Sequence, residues 1–378
     1  MIHLCIVSFV LCINVFGGNT EEPGHFATLC LRCQGVRNIS ARDHSKLVLS
    51  GQPVEGAQKK NMKGKKPTIG IIGMGPVGSI LAAHLADSGE NVVAEDIVED
   101  LLLEIRKQGL NVSGITELTA TIHETAQSIA ELAEYKPNIV FIATKACILK
   151  NVLPRLKQIY TPEMKIVSYQ NGLGNEQLIA ETLEIDTTYR VVINYAGNRI
   201  SHGQVKMNWF QPPNYIGALR NGQYTTDETT QYIARIMTTA GLQTEEIGAI
   251  KEHVWKKTIM NSALCSICAV TGQTMKEAME FTPTRNLAVK ILDEGLEVAE
   301  ADGYDFGDEA LAEFTSYLEK GGAHKPSMLI DVEHKRPTEV DFMSGAIACY
   351  GAEYEIPTPV NSTFTGLLKA LEHKYLGS

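Results

Sequence analysis

Apolar and polar positions change rhythm twice along this chain. Between residues 67 and 248 short apolar runs alternate with stretches of helical periodicity. Runs 69–72, 91–94, 138–143 and 165–169 read as strands, and 75–88, 148–159 and 177–183 as helices. Such alternation predicts a parallel sheet with helices on both faces. Runs 190–195, 203–207 and 214–218 follow at the spacing of an antiparallel extension, and 225–240 reads as one more helix. Beyond about Gly248 the pattern becomes almost wholly helical. Stretch 254–270 is one helix, and 284–301 is another with Leu287, Ile291 and Val298 along one face. A further helix is expected to start at Pro337, with Val340, Met343 and Ile347 on one face. A boundary near 248 therefore separates an α/β domain, 67–248, from a helical domain, 249–378. A cleft is expected between them, where ligands commonly bind.

The first strand-to-helix junction carries the sharpest local signal. Residues 68–96 read TIGIIGMGPVGSILAAHLADSGENVVAED. Gly73, Gly75 and Gly78 sit between the predicted strand and helix, and Asp96 lies eighteen residues past the last glycine. In that context GxGxxG is the dinucleotide-binding arrangement. Gly73 permits the tight turn, Gly75 leaves room for pyrophosphate over a helix N-terminus, and Gly78 lets the helix pack closely on the strand. A glycine-rich turn without a nucleotide is the bland alternative.

Residues 1–66 follow neither rhythm. Stretch 2–16 is apolar but interrupted by His3 and Asn14 and lacks a basic start, so it makes a poor signal peptide. A polar, aperiodic segment follows, and Met62 opens MKGKKPTIGIIGMG, a natural beginning for a cytosolic protein of this kind. The leader is either an extension with no folded role or a targeting segment for a targeted or secreted product. Net charge of −10 argues against a nucleic-acid partner. No run of about twenty apolar residues predicts a membrane span. Of eight cysteines, Cys5, Cys12, Cys30 and Cys33 fall in the leader. Cys265 and Cys268 form a CxxC in an apolar stretch and read as small core residues rather than a metal or redox pair. The body reads as a reduced, cytoplasmic protein.

Three clusters could carry chemistry. Lys145 follows the strand at 138–143, and Asn171 follows the strand at 165–169; in an open parallel sheet both ends face the ligand crevice. Asn171-Gly172 is equally a common turn. Lys257 and Asn261, four apart, share a helix face among largely apolar neighbours, although a solvated lysine is the default on any helix. Ser327, Asp331 and Glu339 form the third cluster, for which helix capping is the bland reading.

Taken together, the segments GMGPVG, TKA, QNGLGNEQ, WKKTIMN, PSMLIDVEHKRPTEVDFMSGAI and IPTPVN resemble the ketopantoate reductase (2-dehydropantoate 2-reductase) family. The resemblance runs from about Pro67 to Lys374, and the block holding Ser327 and Glu339, twelve apart, is its most specific part. It implies a Rossmann-type dinucleotide-binding domain followed by an all-helical domain like the C-terminal domain of 6-phosphogluconate dehydrogenase. It implies NAD(P)H-dependent reduction of a 2-oxo acid, foremost 2-dehydropantoate to pantoate, without a metal. A homodimer is compatible with it.

By this resemblance Lys257 is the general acid that protonates the ketone oxygen. Glu339 positions that ammonium group and the substrate hydroxyl, and Asn171 fixes Lys257 and the nicotinamide-ribose side. Asn261 and Ser327 bind substrate, Ser327 at its carboxylate, and Asp331 fits a supporting position. Gly73, Met74, Gly75, Pro76, Val77, Gly78, Asp96, Lys145, Asn171 and Glu339 face the cofactor. Hydride transfer builds negative charge on the keto oxygen, which a proton-bearing cation stabilises. An ordinary lysine is protonated at neutral pH in the reductive direction, so no large lowering of its pKa is required, and Glu339 keeps it charged in a partly dry cleft.

Two departures from the family pattern matter. Many members carry a second asparagine eight residues after the lysine, where this chain has Cys265. Members preferring NADP commonly carry a basic residue after the second strand. Here Glu95, Asp96, Glu99 and Asp100 are acidic, which favours NAD over NADP. The alternatives are another 2-oxo acid, opine or β-hydroxyacid dehydrogenase of the same architecture, or a non-catalytic NAD(P) sensor. The β-hydroxyacid type usually shows lysine three residues before paired asparagines; here the spacing is four and Ser262 follows Asn261.

Overall fold

The computed structural model describes residues 66–377. Expectations for residues 1–65, among them the targeting segment, the start at Met62 and the four leader cysteines, lie outside the described residues.

The first part of the chain opens with β1 (Thr68–Ile72), α1 (Pro76–Asp87), β2 (Asn91–Glu95) and α2 (Glu99–Gln108). Then come β3 (Leu110–Gly114), β4 (Leu118–Ala120), β5 (Glu124–Ala126), α3 (Ile129–Glu134) and β6 (Ile139–Ile142). After them run α4 (Leu149–Ile159), β7 (Lys165–Ser168), α5 (Asn175–Leu183) and β8 (Thr187–Val192). The part closes with β9 (Tyr195–Ser201), β10 (Gln204–Phe210), β11 (Asn214–Arg220), β12 (Gln223–Thr225), α6 (Glu228–Thr239) and β13 (Thr244–Glu246). Nine strands form one sheet in the order β12-β11-β8-β7-β6-β1-β2-β5, with β13 beside β11. From β5 across to β8 every pairing is parallel. Because strand side chains alternate, Ile69, Ile71 and Phe141 enter one apolar core while Ile72, Val140 and Ile142 enter another on the opposite face. Both faces are covered, which is why these strands read as continuous apolar runs.

The antiparallel extension expected from 190–195, 203–207 and 214–218 is corrected by the structure. β8 continues the sheet in parallel with β7, and only β11 turns antiparallel against it. The run 203–207 belongs instead to β10, in a separate four-stranded sheet ordered β4-β3-β10-β9. β10 lies parallel to β3, although nearly a hundred residues separate them. That sheet is half solvated, so its strands carry too few apolar positions to stand out.

The second part comprises α7 (Ile250–Thr271), α8 (Met275–Glu280), α9 (Thr282–Ala301), α10 (Ala310–Glu319), α11 (Ser327–Glu333), α12 (Ser344–Glu353) and α13 (Pro359–Leu376). Fourteen of the 22 residues of α7 are buried, so it runs through the interior. Gly295 of α9 permits close approach: a Cβ there would lie 3.0 Å from Ile259 of α7. The single helix expected from Pro337 is not present. Thr338 is captured instead by Glu372 of α13, which accepts from its backbone N–H and its hydroxyl, both at 2.6 Å. One 3-10 turn follows (Val340–Phe342), Met343 breaks the chain at φ −116° and ψ −104°, and α12 starts at Ser344. Val340, Met343 and Ile347 are buried as their spacing suggested, but on two segments. No helix among the described residues is long and apolar enough to cross a membrane.

Candidate active site

The glycine-rich loop between β1 and α1 uses its three glycines for different reasons. Gly73 has φ +94°, and a Cβ there would lie 2.7 Å from Thr144 Cγ2. A Cβ on Gly78 would lie 2.0 Å from the Gly73 carbonyl oxygen and 3.1 Å from Ala143 Cβ, so only glycine lets α1 start against the sheet. Gly75 caps α1 with nothing within 4 Å of an added Cβ, and Pro76 stands in the first turn. The loop thus leaves open space before the N-terminus of a 12-residue helix that has no acid in its first turn. Unpaired backbone N–H groups there suit a pyrophosphate, so these residues fit a dinucleotide.

The Met74 peptide is held from both sides. Its N–H donates to Asp96 Oδ2 at 2.8 Å, and its carbonyl accepts from Ser79 Oγ at 3.0 Å and Arg199 Nη2 at 2.8 Å. The Met74 side chain is buried in the core, so only its backbone is available to a ligand. The other oxygen of Asp96 accepts from Val98 N–H at 3.0 Å, and the carboxylate is half-buried beside the loop. Glu95 points inward; burial, and then the charge of Asp96, push its carboxyl up to about 7.

Four segments bring the other candidates together. Lys257, half-buried on α7, donates from Nζ to the Ile193 carbonyl just beyond β8. Burial, reinforced by the Arg190 guanidinium, lowers Lys257 to about 7. Glu339 acts in the opposite direction on Lys257 and is outweighed. The proton transfer requires no such lowering; burial supplies it. Glu339 is buried just before the 3-10 turn, and its Oε1 accepts from Ala146 N–H at 2.9 Å. Burial raises its carboxyl, against the pull of Lys145, the Ala146 N–H and Lys257. Lys145, past the end of β6, pairs with Asp331 of α11, whose second oxygen lies 3.2 Å from Arg336. Burial raises the Asp331 carboxyl despite these cations.

Asn171 is half-buried past the end of β7, in a loop that docks on the Glu339 segment. Leu173 N–H donates to the Phe342 carbonyl at 2.9 Å, and a Cβ on Gly172 would lie 2.4 Å from that same oxygen. Among the described residues the side chains of Asn171 and Asn261 have no hydrogen-bond partner within the protein. Asn261 lies one turn beyond Lys257 on α7 and is half-exposed. Ser327 is exposed at the first position of α11, one turn before Asp331. No hydrogen bond joins Ser327 to Lys257 or Glu339 among the described residues. Cys265 packs with Ala269, Met328, Val340, Met343 and Leu368, and burial pushes its thiol up to about 12. With Cys268 also buried, this CxxC is core, as its apolar context suggested.

Sequence reasoning missed Arg190, Arg199 and the backbone partners Ile193 and Ala146. The lone arginine inside the apolar strand run RVVI was the available signal, because a charge buried in a strand needs a reason.

Family models match both parts of the chain: ketopantoate reductase PanE/ApbA over residues 69–221 and ketopantoate reductase PanE/ApbA C terminal over residues 249–372. A 2-dehydropantoate 2-reductase from Archaeoglobus fulgidus is 28% identical over 302 residues, which are 80% of this chain and 97% of that protein. Among solved structures, 2-dehydropantoate 2-reductase from Geobacter metallireducens superposes with TM-score 0.72 at 24% identity, covering 80% of this chain and 99% of that one. D-mandelate dehydrogenase, in complex with NADH and anilino(oxo)acetate, superposes with TM-score 0.70 at 21% identity, covering 82% and 99%. These two structures share the fold of an α/β part followed by a helical part. Since the paired family models account for both parts, the chain belongs to the ketopantoate reductase family of oxidoreductases.

Proposed function

We propose that the chain reduces a 2-oxo acid, foremost 2-dehydropantoate to pantoate, with Lys257 as general acid. The observation that carries this reading is the Lys257 ammonium, held by the Ile193 carbonyl and acting on the buried Glu339 carboxylate, with Asn261 one turn along the same helix. The dinucleotide supplies the hydride when bound, and the 73–78 loop with Asp96 would hold it. Lys257 gives its proton to the keto oxygen as negative charge develops there, and takes another from solvent afterwards. Glu339 stabilises the ammonium before transfer. Asn171 and Asn261 offer amide donors to the substrate and the nicotinamide side, and the Ser327 hydroxyl offers one to the substrate carboxylate. Asp331 and Lys145 engage each other, so their role in this reading is to tie α11 to the sheet end at the edge of the site.

Asp96 and its acidic neighbours support NAD over NADP, since a carboxylate accepts from a free ribose hydroxyl and repels a 2′-phosphate. A second reading, a different branched 2-oxo acid, is favoured by one observation. Cys265, standing where many relatives carry asparagine, is packed in apolar surroundings and offers substrate no amide. A cytoplasmic setting suits Cys265 and Cys268, which remain thiols.

The test is a panel of 2-oxo acids assayed separately with NADH and NADPH. Oxidation with ketopantoate supports pantoate formation. Activity with another branched 2-oxo acid alone moves the reading to that substrate, and no oxidation with any member overturns it.

A further inference from the structure

Arg190 of β8 is among the most deeply buried charges of the described chain, at 2% exposed. Its Nη1 donates to Ser168 Oγ at the end of β7, at 2.9 Å. Its Nη2 donates to the Gly172 carbonyl at 2.8 Å, the peptide directly after Asn171. Glu176 of α5 balances the charge with Oε2 3.6 Å from Nη1, and the other Glu176 oxygen accepts from the Tyr224 hydroxyl of β12 at 2.9 Å. Nε has no hydrogen-bond partner. A buried guanidinium with one donor unmatched is a poor source of stability, because its desolvation is not fully offset. Its placement suits a different purpose. Resting on the reductase reading above, we propose that Arg190 is a positioning residue of the active site: its guanidinium clamps the Asn171-bearing loop to the sheet and faces Lys257 with a second buried positive charge.

Two independent features support this. Gly172 is wedged between Arg190 on one side and the Phe342 carbonyl on the other, where a Cβ would lie 2.4 Å from the oxygen. The Arg190 contact therefore sets Asn171 relative to the segment that begins with Glu339. The second feature is charge. Lys257 Nζ donates to the Ile193 carbonyl, three residues beyond Arg190 on the same stretch, and the groups whose charge acts on it are Arg190, Glu339 from the segment ahead of the 3-10 turn and Cys265 from its own helix. Arg190 in turn is faced by Glu176, Tyr224 and Glu339. Burial keeps the Cys265 thiol and the Tyr224 hydroxyl neutral near pH 7, so Arg190 and Glu339 are the opposed charges acting on Lys257. Arg190 makes the ammonium a readier proton donor, and Glu339 restrains it.

The test titrates Lys257 in the full chain without substrate or coenzyme. Acetic anhydride acylates only the neutral amine, and mass spectrometry reads the rate at Lys257 as a function of pH. Arg190→Met is expected to move the midpoint upward by about one pH unit, as removal of a like charge acting on the ammonium should. The alkaline limb of kcat/KM for reduction moves with it. Arg190→Met/Glu176→Gln replaces the buried pair by neutral groups, keeps the fold where the single variant loses it, and shows an upward shift as well. An unmoved Lys257 midpoint in a folded variant overturns the proposal, even if kcat falls. The two readings fail separately: a wild-type chain that reduces no 2-oxo acid overturns the reductase reading, whereas an active wild type with an unmoved midpoint overturns the role of Arg190 alone.

Discussion

The glycine loop and the charged cluster are built on opposite principles. In the loop, atoms are left out. Gly73 and Gly78 lack a Cβ because Thr144 and the Gly73 carbonyl occupy the space, and Gly75 lacks one where the space is open. In the cluster, costly groups are put in. Lys257, Arg190 and the stretch holding both Asp331 and Glu339 are distant in the chain, and burial shifts each of these four groups away from its ordinary acidity. The loop is a local device that many folds could share, and it speaks of a cofactor. The cluster exists only when the α/β and helical parts meet, and it speaks of a reaction.

The difference is broken most sharply at Lys257. Lys257→Ala should lower kcat by roughly 10³-fold, within the range for losing a general acid. Coenzyme affinity should stay within about threefold, since the loop is untouched. Stopped-flow reduction and a fluorescence titration of reduced coenzyme give the two numbers. A variant that keeps its turnover would move the chemistry elsewhere and leave the fold as a nucleotide sensor. The pH profile sharpens the same point. With Lys257 lowered to about 7, its acid form is present below that pH and lost above it, so kcat/KM for reduction should fall as pH rises through about 7. A profile flat to pH 9 would show a lysine of ordinary basicity.

Within the loop, two glycines should part company. Gly78→Ala forces a Cβ to within 2.0 Å of a backbone oxygen and should destabilise the protein by about 3 kcal/mol in urea unfolding. Gly75→Ala meets nothing within 4 Å at a φ of −65°, which alanine accepts, so stability should change by less than about 0.5 kcal/mol. Its Cβ enters the space proposed for pyrophosphate, so coenzyme should bind roughly tenfold more weakly. Unchanged coenzyme affinity in Gly75→Ala would mean the open space is not a binding surface.

The same contrast explains what the sequence disclosed. The central strands and α1 were legible because they are buried on both faces or periodic, and the loop because its spacing is contiguous. β3 and β4 were not, since a half-solvated sheet leaves a weak pattern and its pairing with β10 spans the chain. Lys257, Asn171 and Glu339 were singled out through family resemblance; their chemistry alone would have passed as a solvated lysine, a turn and a helix cap. What no local reading could supply was acidity. The shift of Lys257 comes first from burial and then from Arg190, 67 positions away in a strand read only for its apolar neighbours.

The smallest expected effect lies where loop and carboxylate meet. Asp96 uses one oxygen on the Met74 N–H and the other on Val98, so its charge is fixed beside the loop. A 2′-phosphate placed there would add charge of like sign at a few ångströms. In largely solvated surroundings that is worth about 1 kcal/mol, a preference for NADH of roughly fivefold in kcat/KM. Asp96→Asn keeps one acceptor for the loop and removes the charge, so the ratio should swing toward NADPH by about the same factor. The cost should be about 1 kcal/mol of stability for the lost second acceptor. A wild-type chain that strongly prefers NADPH would overturn this assignment and turn attention to Arg199, whose guanidinium already touches the Met74 carbonyl at 2.8 Å. In that event Arg199→Gln should erase the preference, because the cation held against the loop would then be outweighing the carboxylate on its other side.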